Sequence, residues 1–294
     1  GPIESAAQRI ALMGICNKIA GMLAPVLIGS LVLHGIGDLA AKVDIADATT
    51  KANLLNEFAA KIHTPYLVMA GVLVVVAIAI LFSSLPEIKP SEANAEAGES
   101  ASIGKQSVFQ FPHLWLGVLC LFVYVGVEVL AGDAIGTYGN GFGLPLDQTK
   151  FFTSFTLGAM LLGYLAGLVA IPRFVSQERY LSISAVLGML FAIAAYFTKG
   201  YVSVGFVAAL GFANAMMWPA IFPLAIKGLG RFTETGSALL VMGIAGGAII
   251  PQLFAVLKQH HDFQLVFVAL AVPCYLYILF FARYGHRFGK APQA

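Results

Sequence analysis

The sequence predicts an all-α, polytopic membrane helical bundle, and three observations carry that prediction. Its 294 residues are 59% hydrophobic and only 11% charged, with a mean hydropathy of +0.85. That leaves far too little polar surface to cover a soluble globule. The apolar residues gather into eight runs between charged punctuation, and a bilayer core about 30 Å thick takes on the order of 20 residues at 1.5 Å rise each. The runs are long rather than ten-residue alternating segments. Because a backbone in lipid must satisfy its own hydrogen bonds, they are read as helices and not as barrel strands.

In chain order the predicted spans are 10–33, 65–85, 114–137, 151–172, 180–198, 201–225, 236–257 and 264–283. Two polar stretches interrupt them. Residues 34–64 contain an amphipathic segment from Thr50 to Ile62, read as a short external helix over the entrance to a helix pair. Residues 86–111, PEIKPSEANAEAGESASIGKQSVFQF, are rich in Ala, Glu, Ser and Gly with no apolar period, and read as a flexible cytoplasmic linker. The chain thus divides into 1–85 (two spans and the external loop), the linker 86–111, and 112–294 (six spans and a tail). Six helices follow the linker and two precede it, so a six-plus-six architecture calls for four more upstream. The chain opens Gly-Pro, with no signal peptide pattern.

Orientation follows from Lys and Arg. The short loops at 173–179 and 227–231 and the tail carry Arg173, Arg179, Lys227, Arg231, Arg283, Arg287 and Lys290, against Lys150, Lys199 and Lys258 on the opposite side. The richer side, with both ends of the chain, is predicted to be cytoplasmic.

Other classes find little support. A net charge of +2 gives no concentrated basic face for nucleic acid. Cys16, Cys120 and Cys274 lie apart in apolar runs and read as small buried hydrophobes. The six histidines sit in loops or at run ends, so no metal centre is predicted, and there is no P-loop, dinucleotide fingerprint or Ser/His/Asp arrangement. No cofactor and no enzyme activity are expected.

The polar residues inside the runs are therefore the informative ones. In LFVYVGVEVLAGDAIGTY, residues 121–138, Glu128 lies about 20 Å from the cytoplasmic end of its run. It is beyond snorkelling distance and needs a wet cavity, a partner or a proton. Tyr124 and Gly132, at i−4 and i+4, share its face. Asp133 lies about 140° round the helix and nearer the external end, a gate or an interfacial charge. In the first run, Lys18 can snorkel its ammonium to the headgroups, whereas Asn17 cannot escape and must bond to a ligand or across helices. In ALGFANAMMWPAIF, Asn214 and Trp218 share a stripe, and Pro219 withholds a donor from the carbonyl of residue 215, so a helix break is expected beside the indole. Gly243, Gly246 and Gly247 form a small-residue packing patch, Gln252 is a weaker polar candidate, and Glu234 complements a helix N-terminus.

Three sets of motifs carry a family resemblance: the opening GPIESAAQRIALMGICNKIAG, the segment YVGVE, and the pair WPAIFPLAIKGLG and GSALLVMGIAGGAIIPQ. Together they resemble the fucose/galactose/glucose:proton symporter branch of the major facilitator superfamily, with GPIESA and ICNKIAG most similar to its glucose/galactose permeases. The resemblance implies a major facilitator type fold in which the eight spans correspond to helices 5–12, and a secondary transporter of hexose and protons in the inner membrane. The family's proton-coupling acids lie in its first and fourth helices, which this sequence does not contain. It implies sugar contacts from Asn17 and at Glu128, where fucose permeases carry an amide. Tyr124, Asn214 and Trp218 suit the same sugar, with Glu128 and Asp133 as candidates for proton carrier or gate, and Lys18 and Gln252 as weaker contacts. The family's loop signature is degenerate in GLVAIPRFVSQER, where the acid is missing.

Overall fold

The structure, a computed structural model, describes residues 6–32, 39, 42–43, 45–83, 106–171 and 173–289. Those residues are helical, with short turns and 3₁₀ segments between helices. Seven described stretches are long and apolar enough to cross a membrane. The remaining predicted span, 10–33, overlaps α1 (Ala6–Val32), 27 residues long.

Two compact units are present, one comprising residues 1–22 and 90–294 and the other residues 23–89. In the smaller unit, α2 (Ala48–Leu81) runs 34 residues and starts at the N-cap Asp47, whose carboxylate accepts from the amides of Thr49 and Thr50. The expected external helix at 50–62 is therefore not a separate element. It continues through Pro65 into the apolar run as one rod. The first four residues before a proline need not lose the helix when the chain bends locally to clear its ring.

The linker reading also changes at its end. Residues 84–105 lie outside the described residues, but Ser107 caps a 3₁₀ turn over Val108–Gln110, and Val108 and Phe111 are buried in the core. From there the larger unit continues with α3 (Pro112–Gly132), α4 (Ile135–Asn140), α5 (Leu146–Thr149), α6 (Phe152–Ala170), α7 (Gln177–Phe197), α8 (Gly200–Asn214), α9 (Met217–Ile226), α10 (Thr233–Met242), α11 (Gly246–Leu257) and α12 (Phe263–Arg283). Proline at the first turn starts α3, where no intrahelical donor is lost. The carboxylate of Asp262 caps α12 by accepting from Leu265 N at 2.8 Å.

Three predicted spans are interrupted rather than continuous. The run 114–137 stops at Gly132 and resumes as α4, with Ala134 N reaching back five residues to Val129 O. The run 201–225 breaks at Ala215–Met216, four residues before Pro219, as the missing proline donor predicts. The run 236–257 passes through a 3₁₀ turn at Gly243–Ala245. There the backbones pack directly: a Cβ on Gly246 would collide with the carbonyl of Phe122, so only glycine allows this approach of α11 to α3.

The end of the bundle where α7 passes into α8 is held by a polar knot. Gln264 Nε2 donates to the carbonyls of Ala195 and Thr198, each at 2.8 Å, and Tyr138 Oη pairs with Ser203 Oγ at 2.7 Å. These bonds tie the end of α7 and the start of α8 to the start of α12 and to α4, and satisfy the buried carbonyl of Ala195.

Candidate functional site

The site is built around the break after α3. Glu128 lies one turn, about 6 Å, before Gly132. A helix end leaves its last carbonyls without partners, and here α6 supplies them. Thr153 Oγ1 donates to Gly132 O at 2.9 Å and Thr156 Oγ1 to Ala131 O at 3.1 Å. The turn carrying Glu128 is thereby fixed against α6.

Within the same unit, the N-terminal part of α1 also lies along α6. Gln8 Nε2 donates to Ile171 O at 2.6 Å, and Ser154 Oγ to Met22 O at 3.5 Å. Between them Gly14 leaves room for the Tyr164 ring, whose Cζ lies 2.7 Å from where a Cβ would be. This packing directs Lys18 inward. Its Nζ donates to Glu128 Oε1 at 2.8 Å, with the two side chains 16% and 17% exposed. The expectation that Lys18 snorkels to the headgroups is corrected by this bond: a carboxylate within reach inside the bundle outcompetes a longer route to the headgroups.

Polar groups converge on the pair from four more helical segments. Tyr124, Tyr164 and Tyr275 all lie within electrostatic reach of Glu128. Tyr275 Oη donates to Asn214 Oδ1 at 2.9 Å, at the end of α8. Two buried polar atoms in this cluster have no hydrogen-bond partner of normal geometry: Tyr124 Oη, in a residue 0% exposed, and Asn214 Nδ2, in a residue 1% exposed. The Tyr124 phenol faces the Glu128 carboxylate and the main chain of Trp218. Trp218 itself packs against the core and stacks on Phe222 with ring centroids 6.3 Å apart. On the Glu128 face, a Cβ at buried Gly132 would meet nothing within 4 Å.

The structure therefore gathers Lys18, Tyr124, Glu128, Asn214 and Trp218. Asp133 caps α3 and is exposed, but it lies within electrostatic reach of both Lys18 and Glu128. Asn17, about 100° round α1 from Lys18, is exposed, as are Gln252 and Glu234. Tyr164 and Tyr275 were missed by sequence reasoning. Their signal was a hydroxyl at the middle of an apolar run, which Tyr124 shares. Among the described residues no group of three or more His, Cys, Asp and Glu side chains converges to hold a metal ion. The three cysteines are free.

Membrane-spanning helices broken beside inward-facing polar side chains define a class: polytopic membrane proteins with the discontinuous-helix architecture of secondary transporters. The chain belongs to the Major Facilitator Superfamily, whose family profile matches residues 2–251. It is 29% identical over 290 residues to the glucose/galactose transporter of Brucella abortus, covering 98% of this chain and 65% of that protein. It is 25% identical over 293 residues to the L-fucose-proton symporter of Escherichia coli, covering 97% of this chain and 65% of that protein. The chain thus spans a little under two thirds of the length of these relatives. The crystal structure of the major facilitator transporter FucP in its outward conformation superposes with a TM-score of 0.73 at 23% identity, over 97% of this chain and 69% of that one.

Proposed function

We propose that this chain forms part of a secondary transporter that imports a hexose, glucose or galactose, across the inner membrane together with protons. The single observation that carries the reading is the polar cluster around Lys18 and Glu128, in which Tyr124 Oη and Asn214 Nδ2 are buried without a hydrogen bond of normal geometry. Buried polar atoms are ordinarily hydrogen-bonded, and orphans beside a sheltered ion pair mark groups awaiting a ligand. A pyranose supplies hydroxyls that both donate and accept, and an apolar ring face for Trp218. The names of the relatives from B. abortus and E. coli agree in substrate class and, for the latter, in coupling to protons.

In this reading Tyr124, Glu128 and Asn214 bind sugar hydroxyls, Trp218 packs on the ring, and Asn17 contacts sugar in a state that brings its face inward. Glu128 exchanges Lys18 for a proton or a hydroxyl as the cavity changes sides, and Asp133 guards the external approach. Such exchange biases one conformation over another only through differential binding. Both ends of the chain face the cytoplasm in this reading, which the Lys and Arg distribution supports.

Uptake of labelled glucose, galactose, fucose and N-acetylglucosamine in cells expressing the gene tests the proposal. Saturable hexose uptake that collapses with a protonophore is expected. Binding without uptake in any condition favours a membrane sugar sensor, and preference for fucose or N-acetylglucosamine over glucose and galactose moves the substrate assignment.

A further inference from the structure

The cluster contains one ammonium, Lys18, and one carboxylate, Glu128, in direct contact. Among the described residues, the other side chains gathered on them are neutral: three phenols and the amide of Asn214. The third charge within reach is Asp133, at the exposed end of α3. Removing charge from water is costly, and an ion pair that satisfies itself leaves no counter-charge for an ionic ligand. A ligand that carries its own charge into such a site meets one attraction and one repulsion of similar size, while losing its hydration. A neutral ligand needs only the orphaned hydroxyl and amide.

We propose that Lys18 and Glu128 together form a charge filter, which makes the site selective for an uncharged polyol against the corresponding sugar acid and amino sugar. This rests on the sugar-transport reading and deepens it by assigning the pair a specificity role. The filter is asymmetric: Asp133 adds a second negative charge near the approach, so sugar acids are excluded more strongly than amino sugars. Each partner also determines which charge is refused. Without the Glu128 carboxylate, Lys18 becomes an unpaired cation that attracts an acid; without the Lys18 ammonium, Glu128 attracts an ammonium.

Affinities of the purified protein in lipid nanodiscs for glucose, galactose, glucuronate, galacturonate and glucosamine test this, at about pH 6 where both the carboxylates and the amine are charged. The wild type is expected to bind the neutral hexoses at least about tenfold more tightly than the charged analogues, with the uronates weakest. Glu128→Gln is expected to improve uronate relative to hexose by about tenfold, and Lys18→Gln to do the same for glucosamine. The exchange of both residues, Lys18→Glu with Glu128→Lys, keeps a pair and is expected to retain the preference for neutral sugars.

If the wild type binds glucuronate or glucosamine as tightly as glucose, the filter is overturned without recourse to any variant. It is equally overturned if both single variants fold and shift all five ligands alike, in which case the sugar reading still stands. Binding of none of the five overturns the sugar reading itself, and the filter with it.

Discussion

Lys18 Nζ donates to Glu128 Oε1 at 2.8 Å across a sequence separation of 110 residues, joining α1 to the last turn of α3. The bond explains how an apolar run tolerates a carboxylate: the charge is paired and sheltered, not exposed to hydrocarbon.

The first prediction concerns the stability of that pair. Removing one member of a fully buried pair costs about 3–5 kcal/mol because the other is left unpaired. These side chains are 16% and 17% exposed, so water offsets part of the loss. Lys18→Met and Glu128→Gln are each expected to cost about 1–3 kcal/mol, and the double variant to cost less than their sum by about 0.5–3 kcal/mol. Thermal unfolding of the four proteins in one detergent checks the cycle. Strict additivity means that the contact contributes nothing to the folded state.

The second prediction separates two kinds of glycine. A methyl group on Gly246 meets the Phe122 carbonyl, which is part of a helix backbone and cannot rotate away. Gly205 in α8 is exposed and has nothing within 4 Å of the same position. Gly246→Ala is expected to cost about 1–3 kcal/mol through forced separation of α3 and α11, whereas Gly205→Ala changes stability by less than about 1 kcal/mol. Melting temperatures of the two variants decide the matter, and equal values would show that the close approach is not needed.

What the sequence revealed depended on how far apart the interacting groups lie. A lone acid in LFVYVGVEVLAG is visible as an anomaly because hydrocarbon penalises it locally, and Pro219 announces a break because a missing donor acts on its own helix. The partner of Glu128 was not legible. Lys18 had an adequate local explanation in snorkelling, and no periodicity connects two runs separated by more than a hundred positions. Tyr164 and Tyr275 were hidden because tyrosine reads as apolar bulk until a neighbour faces its hydroxyl. The long α2 escaped for the opposite reason: charge and amphipathicity made the predicted span begin only at residue 65, while the backbone hydrogen bonds continue regardless of which solvent surrounds them.

A third prediction addresses the knot between α7, α8 and α12. Gln264 Nε2 serves the carbonyls of Ala195 and Thr198, and Tyr138 and Ser203 bond to one another beside it. Gln264→Leu keeps the bulk but leaves the Thr198 carbonyl without that donor, while the Ala195 carbonyl still accepts from Ser203 Oγ at 2.6 Å, so the expected loss is about 1–2 kcal/mol. Because the bonds fix the end of α7 and the start of α8 and share no hydrogen-bond partner with Lys18 or Glu128, sugar affinity is expected to change by less than about twofold once the protein is folded. A large loss of affinity with unchanged melting temperature would instead make this knot part of the ligand site.

The fourth prediction makes folding and binding move in opposite directions. Tyr124 Oη is fully buried without a hydrogen bond of normal geometry, and the Glu128 carboxylate and Trp218 main chain beside it offset only part of its desolvation cost. Tyr124→Phe removes that atom and preserves the ring that fills the core, and is expected to leave the unliganded protein unchanged or more stable by about 1 kcal/mol. If a sugar hydroxyl completes the phenol on binding, the same substitution weakens hexose affinity by about 0.5–1.5 kcal/mol, or roughly two- to tenfold. Melting curves without sugar and titrations with glucose and galactose provide the two readings on one pair of proteins. A hydroxyl that serves only the fold gives the reverse pattern, with a lower melting temperature and unaltered affinity, and that result removes Tyr124 from the sugar site.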